Sequence, residues 1–485
     1  MPHNISTRLF FLVILFPALL LSACASTKQN TANLKSIYDR SAQYHLPDRN
    51  PVIVIPGVLG SRLIDEQTGV TVWGAFRKDY ADPGSAEGAR LIALPLSSDL
   101  DHEHNHHVKT SVRSDGVLEE LELDFAGIPI SIQAYAGILS SLGAGGYRDE
   151  SIGLNAIDYG TDHFTCFQFD YDWRQDIPYN AAKLKAFIDE KRAEVEEKYE
   201  EYYGIKNAEV KFDIVGHSMG AVLTRYFARY GGTDLDTLPE GTVPWTGADD
   251  VERLILVAPP NAGSVEALDQ LVNGFNTGRP VLPYYHQALI GSFPSVYQIL
   301  PRGRHGALVL DGDKNAPVDD LLDPNLWQEL KWGLSGEDED TDEVLAQLLP
   351  NITSVTERRK IARDYQRAAL ERAKDFQRAM DTPAAPPDGL EMFLVAGDSE
   401  ETPEVASADK ATGEFSILEY GLGDETVTRG SALLDERIGQ EWKPNLVSPV
   451  NWTSTMFIPG KHRTITGEAV FTDNVLYWLL EDPRN

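Results

Sequence analysis

The segment over residues 210–227 constrains the fold of this chain more than any other part of the sequence. A strand-like apolar run at 210–215 leads into GHSMG at 216–220, and a helix-like apolar run follows it. A serine placed in this way is typical of a strained elbow that lifts the Ser218 hydroxyl clear of a sheet. An ordinary strand-to-helix turn is the alternative. The two glycines favour the elbow, because larger side chains there would collide with the adjoining strand and helix.

Apolar runs of strand length recur along the chain, with helical stretches between them. The run at 51–57 is rich in β-branched residues and ends in Pro-Gly, as expected for a strand buried on both faces of a parallel sheet. Similar runs lie at 164–169, 210–215, 253–258 and 391–396. The clearest helix covers 181–203, with apolar residues on one face and Gly204 after it. This alternation predicts a doubly wound, mostly parallel sheet, the architecture of the α/β-hydrolase fold.

The spacing of these elements also predicts how the chain divides. Residues 24–48 are predicted to be a polar tether, and 49–262 together with 390–485 the hydrolase core. More than a hundred residues separate two successive strand-like runs, far more than one crossover needs, so 263–389 is predicted to be an inserted cap. The acidic run at 337–343 lacks the glycine and ligand spacing of a calcium loop and is predicted to be a solvated surface loop.

The N-terminus has the pattern of an export signal. Arg8 precedes an apolar run at 9–21, and Leu-Ser-Ala-Cys follows at 21–24. Thirteen apolar residues are too few for a bilayer core that needs about 20, so residues 1–23 are predicted to be a signal peptide. The box before Cys24 resembles a bacterial lipobox, with ordinary cleavage as the alternative. We expect an exported lipoprotein anchored through Cys24 to a membrane of the bacterial envelope, at the outer membrane or the periplasmic face.

Charge and cysteine content indicate which partners and crosslinks to expect. The chain carries a formal net charge of −31 at pH 7, and removal of residues 1–23 takes away one base, Arg8, and no acid. This charge repels phosphate backbones and anionic headgroups, so we expect no nucleic acid partner, and membrane contact only through an acyl anchor or apolar loops. Besides Cys24 the chain has only Cys166, which we expect to be a buried thiol without a disulfide partner.

The serine needs a base, because a neutral hydroxyl is a poor nucleophile until a histidine accepts its proton and an acid orients that histidine. In the α/β-hydrolase fold these residues follow in the order Ser, acid, His. His286, His305 and His462 come after Ser218. The first two lie in the predicted cap. Since His462 follows the last strand-like run and precedes a helical run at 469–480, it is the expected base.

Two aspartates before His462 compete for the role of the acid. Asp398 follows the strand-like run at 391–396, and Asp424 lies in the turn Gly-Asp-Glu-Thr-Val at 423–427. Spacing alone does not separate them. Asp398 is followed by Ser-Glu-Glu, a solvated cluster of like charge, whereas a glycine-bounded turn can fix a partly desolvated carboxylate beside an imidazole. We therefore prefer Asp424.

The tetrahedral intermediate of acyl transfer needs two backbone N–H donors that are in place before the reaction. The N–H of Met219, directly after the serine, is one. The loop Pro-Gly-Val-Leu-Gly at 56–60 follows the first strand-like run and offers the N–H of Val58 as the second. A plain strand terminator is the alternative interpretation of this loop.

A histidine-rich stretch invites a metal interpretation, with histidines at His102, His104, His106 and His107. Alternating histidines can gather a divalent ion, but a segment without defined partner ligands is more often a polar loop. We expect no metal at this stretch and no cofactor for the chain.

Several separate motifs together resemble one family. They are the strand and loop at 51–63, Trp73, the tetrapeptide Tyr-Asp-Trp-Arg at 171–174, the nucleophile motif at 216–220, the turn at 258–264, the acid motif at 423–427 and His462. With these residues the chain resembles the lecithin:cholesterol acyltransferase family, which includes lysosomal phospholipase A and phospholipid:diacylglycerol acyltransferases. The resemblance runs over roughly 50–480 in broken form. It implies Asp424 as the acid.

Three features depart from the family pattern. Asp170 stands where the family has a proline, Glu425 replaces the glycine of the acid motif, and the cysteines of a lid disulfide are missing. The resemblance implies cleavage of a phospholipid acyl ester through an acyl-enzyme on Ser218, with transfer of the acyl group to water or to an alcohol. A membrane-anchored carboxylesterase acting on smaller esters and a non-catalytic, lipid-binding lipoprotein are the alternatives.

Overall fold

A six-stranded parallel sheet forms the centre of the protein, as a computed structural model describes it. The structure describes residues 32–76, 80–96, 107–118, 120–125, 128–133, 135–151, 162–238, 241–275, 283–440 and 442–484, with the backbone alone over 120–133. Leu34–Asn485 form one unit, and every element below belongs to it. The predicted signal peptide at 1–23 and the predicted lipidation site, Cys24, lie outside the described residues.

The strands are named in chain order. They are β1 Val52–Ile55, β2 Ser61–Asp65, β3 Thr71–Trp73, β4 Ala75–Phe76, β5 Val112–Val117, β6 Glu120–Phe125, β7 Ile128–Gln133, β8 Cys166–Gln168, β9 Phe212–His217, β10 Val251–Val257, β11 Leu308–Leu310, β12 Glu391–Gly397, β13 Glu400–Ala408, β14 Phe415–Gly423 and β15 Ser454–Ile458.

The central sheet has the strand order β15-β12-β10-β9-β1-β8, and every pair of neighbours in it is parallel. Residues of β1, β9 and β12 are buried along their whole length, which explains why their sequences are mostly apolar. The five strand-like runs of the sequence correspond to β1, β8, β9, β10 and β12, within two residues at each end. The predicted α/β-hydrolase architecture is confirmed.

The helices are also named in chain order. They are α1 Leu34–Ile37, α2 Asp39–Ala42, α3 Ala86–Ile92, α4 Ala136–Ala144, α5 Ile177–Tyr203, α6 Met219–Tyr230, α7 Val265–Asn273, α8 Gln287–Ile290, α9 Pro294–Gln298, α10 Pro324–Glu329, α11 Glu339–Leu348, α12 Val355–Asp381, α13 Arg429–Leu433 and α14 Ala469–Leu480. Within the described part of the chain, no helix has the length and apolar content needed to cross a membrane.

Helices cover both faces of the central sheet. Ile53 and Ile55 of β1 pack in one apolar cluster with residues of α5 and α6, whereas Val52 and Val54 pack in another with residues of α4 and α14. Successive residues of a strand point to opposite faces, so β1 contributes to both layers. Helix α5 begins four residues before the predicted start at 181, because Pro178 is tolerated in its first turn.

Three smaller sheets extend the core, in the strand orders β3-β2-β5, β4-β6-β7 and β11-β13-β14. Strands β13 and β14 form an antiparallel hairpin after β12. Strand β11 lies within the predicted cap at 263–389, yet it pairs in parallel with β13 outside it. Helices α7 to α12 also lie in that segment. Its boundaries as a cap stay a prediction.

The acidic run at 337–343 is not a loop, and that prediction is wrong. Helix α11 begins inside it at Glu339, and the Asp338 side chain caps the helix by accepting the Thr341 N–H at 2.8 Å. Glu339, Asp340 and Asp342 fill the first turn, where the positive end of the helix dipole favours carboxylates. The charge cluster that indicated a solvated loop is therefore a helix start.

Candidate active site

Ser218 is the single residue between β9 and α6. Its backbone has φ 55° and ψ −126°, a conformation that side-chain-bearing residues rarely adopt. The Ser218 N–H donates to the Val257 carbonyl at 2.8 Å, which fixes the turn to the end of β10. At Gly220 a Cβ would lie 2.3 Å from the Pro56 carbonyl oxygen, so only glycine allows the helix to approach β1 this closely.

A hydrogen-bonded chain joins Ser218, His462 and Asp424. His462 Nε2 lies 2.8 Å from Ser218 Oγ, and His462 Nδ1 lies 2.8 Å from Asp424 Oδ2. Because a carboxylate can only accept, Nδ1 carries the proton, and Nε2 is free to accept the serine hydroxyl. The order of the three residues and their contacts match the arrangement in which a serine becomes a nucleophile.

The Asp424 carboxylate is buried and held by its own turn. It follows β14 directly, is 1% exposed, and accepts the N–H groups of Thr426 at 3.0 Å and Val427 at 2.7 Å. Burial by itself raises the pKa of Asp424, but its interaction with His462 and these backbone donors outweigh burial and lower the pKa. Asp424 is therefore ionised, with a fixed position beside the imidazole.

The other acid and base candidates lie elsewhere. No contact joins Asp398 to His462. His286 caps α8, where its ring accepts the Ala288 N–H at 3.1 Å. His305 lies 3.4 Å from a Glu436 carboxylate oxygen. Of the candidates weighed from the sequence, the structure places only Asp424 and His462 in contact with each other.

The predicted oxyanion donors flank Ser218. Met219 is the first residue of α6, so its N–H has no acceptor one turn earlier in the helix. In the loop after β1, no hydrogen bond within the described chain uses the Val58 N–H. This loop lies against the serine, since a Cβ at Gly57 would meet Ser218 Cβ at 2.7 Å. The N–H groups of Met219 and Val58 are therefore both without an acceptor in the described chain. Met219 directly follows Ser218, and Val58 lies in the loop that packs against it.

The tetrapeptide at 171–174 holds this loop in place through hydrogen bonds. The Tyr171 hydroxyl donates to the Pro56 carbonyl at 2.9 Å, and Trp173 Nε1 donates to the Ser61 carbonyl at 3.2 Å. The Arg174 guanidinium is fully buried and pairs with Asp172 at 2.8 Å. The motif thus anchors the start and the end of the loop that carries Val58.

An apolar pocket of about 510 Å³, part of it open to solvent, begins at this loop. Val58 and Leu59 form one wall, and the Trp73 Nε1 donates to the Leu59 carbonyl at 2.8 Å. Most of the remaining lining is aromatic or aliphatic, and includes Trp73, Trp173, Tyr285, Ile290, Phe293 and Val296. The lining of the pocket is therefore suited to an apolar group.

Glu425, which replaces the family's glycine in the acid motif, has φ 82°. This value lies in the left-handed region that favours glycine, which explains the family pattern. In this chain the Glu425 side chain forms an ion pair with Lys461, next to His462. The departure therefore keeps the turn and adds a charged contact between the acid loop and the base loop.

Two polar residues at the site were missed from the sequence, Tyr135 and His217. Tyr135 accepts the Gly57 N–H at 2.7 Å and lies 2.8 Å from His217 Nδ1. A signal was available for His217, since a polar side chain at the buried end of a strand needs a partner. Tyr135 belongs to no motif, so no pattern in the sequence indicated its place in the site.

Two further predictions meet the described residues only in part. Most of the histidine-rich stretch, including His102, His104 and His106, lies outside them, and His107 stacks on Tyr179 with 4.3 Å between ring centres. Cys166 is buried in β8 as a free thiol, as expected.

The chain matches a protein-family model. The model of the lecithin:cholesterol acyltransferase family covers residues 138–384, just over half of the chain. The matched range includes Ser218 and the tetrapeptide at 171–174, and it ends before Asp424 and His462. No curated protein matches the sequence.

Solved structures give a fold match. The Tle4–Tli4 complex contains a chain that is 15% identical, with a TM-score of 0.55, over 89% of this chain and 98% of that one. The Bacillus licheniformis lipase BlEst2 in its propeptide form is 11% identical with a TM-score of 0.33, over 91% of this chain and 52% of that one. At these identities the first likeness shows a shared fold, and the second carries no argument.

Proposed function

We propose that this chain, which belongs to the lecithin:cholesterol acyltransferase family, uses Ser218 to cleave acyl esters of phospholipids or related lipids through an acyl-enzyme. Membership of the family supports a lipid acyl hydrolase or acyltransferase. The observation that carries the serine mechanism is the hydrogen-bonded chain from Ser218 Oγ through His462 to Asp424, with 2.8 Å at each step.

In the first half-reaction Ser218 Oγ attacks the ester carbonyl carbon while its proton passes to His462 Nε2. Asp424 stabilises the imidazolium that forms, and the N–H groups of Val58 and Met219 donate to the oxyanion. The tetrahedral intermediate then collapses, the carbon–oxygen bond to the lipid breaks, and His462 returns the proton to the leaving alkoxide. The product is an acyl ester of Ser218 and a free lipid alcohol.

In the second half-reaction water or another alcohol gives its proton to His462 and attacks the acyl-enzyme. The same N–H groups stabilise the second oxyanion. As the intermediate collapses, the bond from the carbonyl carbon to Ser218 Oγ breaks, His462 returns its proton to Oγ, and a fatty acid or a new ester is released. No cofactor takes part. The pocket that begins at Val58 supports a lipid substrate, because nearly all of its lining is apolar, as the site of a fatty acyl chain requires.

Phospholipid vesicles that contain a long-chain alcohol test this proposal, with product analysis by mass spectrometry. We expect the full chain to form free fatty acid or acylated alcohol, and Ser218→Ala to lose more than about 10³-fold of that activity. Ser416→Ala is the matched control, since Ser416 is an exposed residue of β14. The proposal fails if Ser218→Ala keeps its activity. If the chain hydrolyses short soluble esters but forms no lipid product, it is a carboxylesterase. If a fluorophosphonate does not label Ser218, the chain is a non-catalytic, lipid-binding protein.

We also propose that Cys24 carries a lipid that holds this site at a membrane of the bacterial envelope. The Leu-Ser-Ala-Cys box at 21–24, at the end of an apolar run, supports this proposal. Incorporation of labelled palmitate into the expressed chain, and its loss in Cys24→Ser, is the expected result. Equal labelling of the two proteins would contradict it.

A further inference from the structure

A buried hydrogen-bond chain that the mechanism does not use connects the oxyanion loop to the loop of the base. The Gly57 N–H donates to the Tyr135 oxygen at 2.7 Å, and the Tyr135 hydroxyl lies 2.8 Å from His217 Nδ1. On the other side of its ring, His217 Nε2 lies 2.9 Å from the His462 carbonyl oxygen. Tyr135 and His217 are 6% and 7% exposed, so water does not compete for these bonds.

The chemistry of the four groups fixes the direction of every bond. The His462 carbonyl can only accept, so His217 Nε2 carries the ring proton. Nδ1 of the neutral ring is then an acceptor, and the Tyr135 hydroxyl donates to it. The Tyr135 oxygen in turn accepts the Gly57 N–H. Each donor has one acceptor, and no other arrangement of protons satisfies all four groups.

The neutral form of His217 is required, because a protonated ring would face the Tyr135 hydroxyl with a second donor. Burial, together with the positive charge that His462 can carry, lowers the pKa of His217 to about 3. The ring therefore stays neutral while His462 gains and loses its proton during each turnover. The hydrogen-bond chain keeps the same pattern through the reaction.

The position of this chain gives it a mechanical consequence. Gly57 precedes Val58, whose N–H is the proposed oxyanion donor, and Gly57 packs against Ser218, where a Cβ would be 2.7 Å from Ser218 Cβ. His217 precedes Ser218 in the chain. The network also includes the backbone carbonyl of His462. One buried network thus ties together the donor, the nucleophile and the base, which come from the ends of three different strands.

We propose that Tyr135 and His217 are positioning residues, which hold the Val58 N–H and the His462 ring at a fixed distance from Ser218. The inference rests on the proposed serine mechanism and deepens it. Neither residue touches the substrate. They act on the transition state, because a displaced oxyanion donor or base costs rate without changing how the lipid chain binds.

Tyr135→Phe tests this role with the full chain, a soluble p-nitrophenyl ester and a fluorophosphonate probe. The change removes one hydroxyl and leaves the ring. We expect kcat and the rate of Ser218 labelling to fall by about 10- to 100-fold, less than the loss of a whole oxyanion donor, with KM within about twofold. If kcat and the rate of Ser218 labelling each fall by less than twofold, the inference is wrong.

Tyr226→Phe is the matched control, because Tyr226 is also fully buried and its hydroxyl donates to the Thr233 carbonyl at 2.7 Å. We expect a similar fall in thermal stability and no change in kcat. If both variants lose stability and neither loses kcat, the Tyr135 hydroxyl is structural and the inference is wrong.

His217→Gln tests the second residue, since the amide nitrogen of Gln can still donate to the His462 carbonyl while the acceptor for Tyr135 is lost. If the two residues act as one network, Tyr135→Phe costs less than about twofold in kcat on the His217→Gln background. Independent, multiplicative losses would contradict the network.

The two proposals fail in different ways. Wild-type protein whose Ser218 does not react with the fluorophosphonate would overturn the serine mechanism and the inference that rests on it. Wild-type protein that reacts, with Tyr135→Phe reacting at the same rate, would overturn the positioning role alone.

Discussion

The loops of the candidate site and the long helix α12 are held in place by different kinds of contact. In the site, backbone N–H groups hold the loops through hydrogen bonds. The Val427 N–H donates to the Asp424 carboxylate at 2.7 Å, and the His462 N–H donates to the Asp424 carbonyl at 2.8 Å. Such contacts join residues within a turn or between two short loops. A few residues of fixed type are enough to build them.

Helix α12 packs an apolar face into the core and adds buried ion pairs to that packing. Arg372 in its middle is 5% exposed and pairs with Asp176 at 2.8 Å and Asp234 at 2.7 Å. Near its end, Asp381 pairs with Arg302 at 2.9 Å. Asp176 is fully buried and lies 196 positions before Arg372. A buried carboxylate tolerates burial only while its partner is present, so these pairs hold the helix in one place at a high desolvation cost.

The comparison indicates that the loops of the candidate site and helix α12 contribute to different properties of this chain. The groups of the candidate site are fixed by hydrogen bonds at the carboxyl ends of the sheet strands, while the segment between β10 and β12 also has buried ion pairs to remote residues. A change in one region should therefore alter rate with little effect on stability, and a change in the other should do the reverse.

The largest effect is expected for Asp424→Asn. The amide preserves the shape of the side chain, but it neither fixes the Nδ1–H tautomer of His462 nor stabilises the imidazolium, so kcat should fall roughly 10⁴-fold. Steady-state kinetics on a soluble ester measures this. Asp398→Asn is the matched control and should retain wild-type kcat. An equal loss in both variants would show that the acid has been misassigned.

A smaller effect, on stability alone, is expected for Arg372→Met. The change leaves the buried Asp176 carboxylate without its partner and should lower the free energy of unfolding by about 3–5 kcal/mol in chemical denaturation. Arg378→Met on the same helix is the control, since Arg378 is 67% exposed and pairs with Asp375 at the surface, worth at most about 1 kcal/mol. The separation of the two regions breaks down if folded Arg372→Met has a reduced kcat.

The smallest effect concerns Glu436, which accepts hydrogen bonds from Arg304 at 2.7 Å and from His305 at 3.4 Å, while Arg304 also pairs with Asp381 at the end of α12. Burial alone raises the pKa of Glu436, but these bonds outweigh it and lower the pKa from 4.5 to about 2. A lowered carboxyl pKa contributes stability that is complete above pH 4.5 and is lost as the pH falls towards 2.

The stability advantage of wild type over Glu436→Gln should therefore shrink over this acidic range. Because Glu436 is partly exposed to solvent, we expect an advantage of only about 1 kcal/mol above pH 4.5. Denaturation curves at several pH values measure it. Glu419→Gln, which removes an exposed ion pair with Lys314, should follow the wild-type pH dependence. An advantage that grows on acidification would contradict the direction of the shift.

Much of the fold could be predicted because parallel strands leave a strong local signal. The runs that became β1, β9, β10 and β12 are mostly apolar, since nearly all of their residues are buried. The three residues of the hydrogen-bonded chain were also found from the sequence, because each follows a strand-like run or lies in a recognisable turn. Fold order then limited which histidine could act on Ser218.

Other features could not be predicted because their causes are not local. The acidic run at 337–343 has the composition of a loop, and only its cap at Asp338 separates it from one. Tyr135 reaches the site through the packing of α4 against the sheet, and its nearest partner, Gly57, lies 78 positions away. The positive φ of Glu425 is likewise invisible in its side chain, which favours neither a turn nor a left-handed conformation.

The strand order of the central sheet also sets when the site can first exist. Ser218 and the Val58 loop belong to strands made early in translation, while His462 follows β15, which joins one edge of the sheet after β12 is in place. A nascent chain that has not yet added β15 carries its nucleophile without a base. A fragment that stops before His462 therefore lacks the hydrogen-bonded chain that joins Ser218 to Asp424.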